Sequence, residues 1–345
     1  MKKARFQEIT SRYAKLRIGI VGDFSLDRYL EIDTARSETS IETGLPVHNV
    51  VNVRGQPGAA GTILNNLVAL AVKRAYPVGF CGKDGEGYEL QHALREKGPA
   101  VPLDFFLPTG LRRTFTYCKP LLMHPGRPPE ELSRLDTKNW TPTPPPVEEQ
   151  IIESLGRLAR EVDALIVLDQ VDLADTGVVT RRVLEELGRL SAAEPELLIL
   201  ADSRRGLRGW PPLTFKMNLN ELAAMTGRKG GITPAEAGPI ALEFARETGR
   251  RVFVTMAEQG MLGASPSGEV EKVPSFPLRG PIDVVGAGDS VTANLAVALA
   301  AGATLRESLQ LASTAASLVI HQLGTTGTAT VDQLQELLIG SMTVA

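Results

Sequence analysis

The chain has 345 residues, 43% of them hydrophobic, and 37 Lys and Arg against 40 Asp and Glu leave a formal net charge of −3. That balance excludes binding driven by bulk positive charge, so neither nucleic acid nor an anionic membrane is an expected partner. Cys81 and Cys118 form no Cys-x-x-Cys pair, which fits a reducing cytoplasm, and the apolar run at Ile18 is one strand long, too short for a signal peptide or a membrane span.

LRIGIVGD (16–23) reads as a buried strand ending in a turn. Residues 28–55 are broken and polar, with short β-like pieces such as LPVHNVVNV. From Gly58 the pattern AAGTILNNLVALAV predicts a helix with Ile63, Leu67, Leu70 and Ala71 on one face. YPVGFCG returns to strand, and EGYELQHALREKG to an amphipathic helix stopped by Gly98. Residues 101–121 hold two more β-like pieces around PTGLRR, which predicts a hairpin turn.

Strands recur at ALIVLD (164–169), LLILAD (197–202) and RVFVTM (251–256), with helical runs such as TRRVLEELGRL and PAEAGPIALEFARETG between them. Apolar strands alternating with helices imply a parallel sheet covered on both faces. Segments 28–55 and 101–121 interrupt that alternation and predict a small β appendage on the one domain, residues 1–345. The Pro-rich TPTPPP (141–146) is read as a loop entering a helix near Val147, where Pro is tolerated, rather than as a domain linker. The sequence has no internal repeat.

DVVGAGDSVTANLAVALAAG (283–302) places Gly286, Ala287, Gly288 and Asp289 directly before apolar positions Val291, Leu295, Ala298 and Leu299 at helical spacing, with Gly302 as the stop. The first N–H groups of a helix lack intrahelical partners. With glycines that permit close approach and the positive end of the helix dipole, they make an anion site. An Asp at that position is equally a simple helix cap. Other nucleotide and catalytic motifs are excluded: there is no G-x-x-x-x-G-K-[ST] and no G-x-S-x-G, and Val291 stands where G-x-G-x-x-G needs its third glycine. The four histidines have no metal-ligand spacing.

DVVGAGDSVTA resembles the C-terminal signature of the ribokinase/PfkB family of carbohydrate kinases. VGDFSLDRY (21–29), PGAAGTILNN (57–66), VGFCGKDGEGYEL (78–90), KMNLNELAAMTG (216–227) and VTMAEQGML (254–262) resemble further segments of that family in the same order, from about residue 16 to 335. GDFSLDRY, EELSRLD (130–136) and SLVIHQLGTTGTATV (317–331) are most similar to its heptose-7-phosphate kinase branch, and the chain ends before the nucleotidyltransferase half that often follows.

The resemblance implies a ribokinase-like three-layer α/β/α fold with a mostly parallel central sheet and a small β-strand lid. It implies ATP and Mg²⁺ as cofactors, K⁺ as in some relatives, and a sugar or sugar phosphate as acceptor. Gly286, Ala287 and Gly288 would form the anion hole and Asp289 the base. Asn218, Glu221 and Thr255 would lie at ATP, with Glu221 on Mg²⁺ through water, or merely in a helix first turn. Asp283 and the loop 324–326 would border a monovalent cation, or act as caps. Asp23, Asp27, Gly58 and Asn65 would meet the acceptor, and Lys119 and Arg134 are candidates for its phosphate. A cytoplasmic enzyme, and a homodimer through lid strands, are also implied. Departures lie on the acceptor side: Pro57-Gly58 for Gly-Gly, Gly61 for an asparagine, Lys119-Pro120-Leu121 for Lys-Thr-Arg, and DQVDLADTG (169–177) for D-Y-x-K-G. On the nucleotide side Ala257 replaces a glycine. A kinase of a nucleoside or vitamin-precursor alcohol, and a sugar- or nucleotide-binding relative without turnover, are the alternatives.

Overall fold

The computed structural model describes residues 1–340, and residues 341–345, the end of the expected domain, lie outside the described residues. The large sheet has nine strands. In spatial order they are Val270–Val273, Met261–Ala264, Val252–Thr255, Thr214–Asn218, Leu198–Ser203, Ala164–Asp169, Arg17–Gly22, Arg74–Gly82 and Phe106–Thr109. The seven from Val252–Thr255 to Phe106–Thr109 run parallel, and the two outer ones continue as antiparallel hairpins.

Period-two alternation places successive side chains on opposite faces. Ala164, Ile166 and Leu168 therefore join one core and Leu165 and Val167 the other. The first core is closed by helices Lys3–Thr10, Ala60–Ala69, Gly85–Arg95, Ala287–Ala300, Leu305–Val319 and Val331–Gly340. The second is closed by Pro145–Leu158, Arg181–Ala193, Leu219–Met225 and Ala237–Thr248. This is the expected three-layer arrangement. Ala287–Ala300 is buried from Ser290 to Ala298, which explains why its sequence is apolar around almost the whole circumference. Gly249 and Gly302, at φ 65° and 81°, end their helices in the left-handed conformation that suits glycine. Pro145 opens its helix at the first turn, as TPTPPP predicted.

The small sheet has the order Leu135–Thr137, Phe115–Met123, Phe24–Asp33, Val50–Ala59, with Glu130–Glu131 also on Phe115–Met123. It begins earlier than the broken pattern at 28–55 indicates, because Phe24 and Leu26 are already buried strand residues. PTGLRR is not a hairpin. Phe106–Thr109 pairs in the large sheet and Phe115–Met123 in the small one, so the segment crosses between sheets. Arg112 anchors the crossing by donating to the carbonyls of Thr141 at 2.7 Å and Thr176 at 2.8 Å. Ala71 also differs from expectation: its helix ends at Ala69, and Ala71 is exposed at φ 55°. The helix Lys3–Thr10 has no strong sequence pattern and is held by tertiary burial of Phe6 and Ile9.

The chain enters helix Ala60–Ala69 through Ala59 at φ 52°, ψ −117°, a region costly to any residue with a Cβ. Ala59→Gly is expected to stabilise the protein by about 1 kcal/mol, less than the full strain because glycine also loosens the unfolded chain. A urea midpoint that does not rise would contradict strain at this position.

Candidate active site

Every parallel strand of the large sheet ends on the same edge, and there the chemistry collects: Asp23 follows Gly22, and Asp169, Asp202, Asn218 and Thr255 stand at or near the last positions of their strands. Open parallel sheets bind ligands outside these carboxyl ends. On that edge Gly286, at φ 81°, turns the chain into helix Ala287–Ala300, with Asp289 in the first turn. A Cβ at Gly286 would lie 3.4 Å from Thr326 and 3.5 Å from Thr62, so both the 324–327 loop and the helix Ala60–Ala69 abut this turn. Ala287 N–H donates to the Val284 carbonyl at 3.2 Å. Gly288 and Asp289 N–H have no acceptor among the described residues, which leaves two amides of the expected hole free at a positive helix end.

Asp289 is half-buried, and its carboxyl pKa is pushed up to about 7 by burial and then by the nearby Asp202 carboxylate, with Lys216 opposing and Asp27 adding a smaller push. The capping alternative gains nothing here, since the Asp289 side chain accepts no main-chain hydrogen bond among the described residues. The sequence reading missed Asp202 and Lys216. They form a buried pair at 2.7 Å, and Thr292 Oγ1 donates to Asp202 at 3.2 Å and to the Gly288 carbonyl at 3.0 Å. The available signal was positional: LLILAD and TFKMN each place a charge near the carboxyl end of an apolar strand.

Asp27 and Lys119 are brought together. Strand register sets Asp27 beside Gln56 and Tyr117, and Tyr29 beside Arg54 and Lys119, so these side chains share one face of the small sheet. Lys119 Nζ lies 3.2 Å from Asp27 Oδ2 and 3.3 Å from the Tyr29 hydroxyl. Burial alone would lower the Lys119 pKa, but Asp27 and Tyr29 hold it above the ordinary lysine value. Gly58 lies against them, because a Cβ there would collide with Asp27 Oδ1 and come 2.7 Å from Ser25 Oγ. Asn65 donates to the Pro57 carbonyl at 3.2 Å, tying the helix to this strand. Gly61 and Pro57 are linked departures, since any Cβ at 61 would strike the Pro57 ring. Arg134 is held by Asp136 at 2.7 and 2.8 Å and lies over the Tyr117 ring, toward the sheet edge.

Asp23 behaves differently from the expectation of a substrate contact. It is buried, and its oxygens accept from Gln170 N–H at 2.8 Å and Val178 N–H at 2.7 Å. Burial first, then the Asp169 carboxylate, push its pKa up to about 7. Its work is to pin the 170–178 loop, and Gly177 is small because Asp23 Oδ1 occupies the space a Cβ would need.

On the nucleotide side Asn218 and Glu221 form a capping box: Glu221 N–H donates to Asn218 Oδ1 at 2.9 Å and Asn218 N–H to Glu221 Oε2 at 2.7 Å. The structural alternative for this pair is therefore realised, and Glu221 retains a second oxygen. Thr255 Oγ1 donates to the Met217 carbonyl at 3.4 Å. Asp283 caps its own turn through Val285 N–H at 3.0 Å and donates its N–H to the Ile320 carbonyl at 2.8 Å. Thr326 accepts from Gln56 at 3.1 Å, joining the small sheet to the loop beside Gly286. Among the described residues no group of three His, Cys, Asp or Glu could hold a metal ion. A separate cavity of about 270 Å³, lined by Thr214, Arg250, Arg251 and Ser265 among others, lies at the opposite ends of the strands.

Residues 211–331 match the family model described as pfkB family carbohydrate kinase. The bifunctional protein HldE of Hyphomonas neptunium is 30% identical over 326 residues, covering 93% of this chain and 63% of that protein. HldE of Paramagnetospirillum magneticum is 28% identical over 322 residues, covering 92% and 63%. The chain thus spans less than two thirds of the length of these curated relatives. Among solved structures, Arabidopsis thaliana ribokinase complexed with ribose and ATP superposes with a TM-score of 0.65 at 19% identity, covering 94% of this chain and 98% of that one. Escherichia coli phosphofructokinase-2 in complex with potassium gives 0.68 at 19% identity, covering 94% and 99%. These likenesses establish a ribokinase-like fold. The match over residues 211–331 and the HldE relatives make the chain similar to the pfkB family of carbohydrate kinases.

Proposed function

We propose that this chain transfers the γ-phosphoryl group of ATP to a hydroxyl of a sugar or sugar phosphate. The observation that carries the reading is Asp289: a half-buried carboxylate with a pKa near 7, in the first turn of a helix whose neighbouring amides have no acceptor among the described residues. A base of that pKa suits proton transfer at neutral pH. In the step, Asp289 takes the acceptor hydroxyl proton as that oxygen bonds to phosphorus, and the bond from phosphorus to the bridging oxygen breaks to release ADP. Gly288 and Asp289 N–H stabilise the oxygens in transit without reorganising. Asp27 accepts hydrogen bonds from acceptor hydroxyls, with Lys119 beside it for an adjacent anionic or hydroxyl group.

Magnesium would be held by the nucleotide phosphates and by waters on the free oxygen of Glu221, supplying charge neutralisation there. A monovalent cation would sit between Asp283 and the 324–326 loop. The exposed Leu278, Ile282, Val284, Val285 and Leu323 flank the glycine turn and suit an apolar nucleobase face. The small sheet would act as the lid, excluding water on closure. Its edge strand Val50–Ala59 exposes Val51 and Val53, which favours a homodimer through the lids, testable by sedimentation. Two free cysteines accord with a cytoplasmic setting, and among the described residues no helix is long and apolar enough to cross a membrane.

An ATP-consumption screen over sugars, sugar phosphates, nucleosides and vitamin-precursor alcohols tests the proposal. Turnover with a heptose 7-phosphate alone assigns the branch, whereas binding without turnover of every compound overturns catalysis.

Because Asp289 must be ionised to act, kcat/KM is expected to fall about tenfold per pH unit below about pH 7. A profile flat from pH 8 to 5.5 would remove Asp289 as the base. Asp289→Asn is expected to lose ~10²–10⁴ in turnover. The folded state holds this proton more tightly than the unfolded chain does, so the carboxylate costs stability as pH rises from the ordinary carboxylate range to about 7. The variant should therefore melt higher than wild type at pH 8, with the gain vanishing near pH 4. Gly58→Ala drives a methyl into Asp27 and Ser25 and is expected to raise the acceptor KM by about tenfold or more while leaving KM for ATP nearly unchanged.

A further inference from the structure

We infer that Lys216 is a second catalytic residue of this site, placing its ammonium on the phosphoryl group as it transfers, and that Asp202 is the residue that positions it. The inference rests on the kinase reading above and adds a residue that neither the signature motif nor the sequence spacing supplies.

Three observations carry it. Lys216 Nζ comes within 3.2 Å of where a Cβ on Gly288 would stand, so the ammonium lies against the turn of helix that offers its free N–H groups. Any anion seated on Gly288 and Asp289 N–H is then within reach of that ammonium. An ammonium has three N–H donors, and Asp202 is its one hydrogen-bond partner among the described residues, which leaves two for phosphate oxygens. The third observation is the balance of charge. Lys216 faces the carboxylates of Asp202, Asp289 and Glu221, and without it a polyphosphate would enter a pocket carrying three negative groups and no cation from this set.

The plainer alternative is a buried ion pair that only ties strand Leu198–Ser203 to Thr214–Asn218. Buried pairs contribute little net stability, because desolvation offsets most of the attraction, so stability alone is a weak reason for this one. Its position argues further against that reading. The pair sits at the carboxyl ends of the strands, and Thr292 connects Asp202 to the Gly288 carbonyl, so Asp202 fixes the lysine relative to the helix start. Gly288 then has a steric reason to lack a side chain, since any Cβ would crowd the ammonium.

The test compares Lys216→Met, Lys216→Arg and the double variant Asp202→Asn/Lys216→Met, which removes both charges and leaves neither buried alone. Lys216→Met is expected to lower kcat by ~10²–10³, the range for loss of one preorganised transition-state donor. Lys216→Arg should recover part of that loss, because the charge is kept. The double variant should regain the melting temperature of wild type but not its kcat. A double variant whose kcat returns to within about threefold of wild type would reduce the pair to a structural tie, as would near-normal turnover in Lys216→Met. A calorimetric comparison separates this outcome from failure of the kinase reading, because it needs no turnover. Lys216→Met should weaken a non-hydrolysable ATP analogue about tenfold or more and leave ADP nearly unchanged, as loss of a charge-assisted bond to the last phosphate requires. Equal losses for both nucleotides would overturn the contact.

Discussion

The site depends on one electrostatic constraint: unpaired main-chain N–H groups at the start of helix Ala287–Ala300, with a carboxylate in the same turn. Burial and the Asp202 carboxylate disfavour charge on Asp289, and Lys216 favours it. The balance pushes the Asp289 pKa up to about 7, above the ordinary carboxylate range. The helix can face this task at one end because the rest of it is enclosed. Its other end is held from outside, where Arg12 donates to the Ala301 carbonyl at 2.8 Å and Arg5 to Gly302 at 3.1 Å. Cations at a helix C-terminus complement the same dipole that draws anions to the N-terminus.

The face that carries Asp27, Tyr29 and Lys119 is arranged by the small sheet rather than by the large one. Parallel pairing of Phe24–Asp33 with Phe115–Met123 sets Tyr29 opposite Lys119 and lets the lysine reach Asp27, two residues away on the same face. Gln56 extends that face to Thr326, which touches the turn at Gly286. The small sheet and the helix start are therefore mechanically linked through one side-chain bond. The loop that departs most from the family pattern, 169–177, is pinned from beneath by Asp23 and from the side by Arg112. Its altered sequence thus accompanies a well-anchored backbone.

Departures from the family pattern also compensate one another locally. Pro57 occupies volume that Gly61 leaves vacant, so the two differences form one packing solution. Ala59 and Ala257, at φ 52° and 48°, lie where a residue without a Cβ would be at ease. One of these positions ends strand Val50–Ala59 and the other lies two residues after Thr255.

Much of the fold was legible in sequence because it is written in local periodicity. ALIVLD and RVFVTM alternate or run apolar as buried parallel strands must, and the glycines at 249 and 302 end helices for a conformational reason that acts within a few residues. The helix start at Gly286–Asp289 was legible for the same reason. PTGLRR was misread because a turn signal says that the chain bends, not which sheet receives the next strand. The main-chain partners of Asp23, Gln170 and Val178, were not legible because they are 147 and 155 residues away. Asp202 and Lys216 each stand near the end of an apolar strand in the sequence, but their pairing was not legible, since two adjacent strands must first align before a charge on each can meet. By itself the sequence determined the layered architecture, the strand and helix periods and the glycine turn that opens the anion site, all properties of neighbouring residues. Only the tertiary structure decided which carboxylates are free to act, which are engaged by main-chain amides, and which lysine stands beside the helix start, because burial and long-range pairing set those roles.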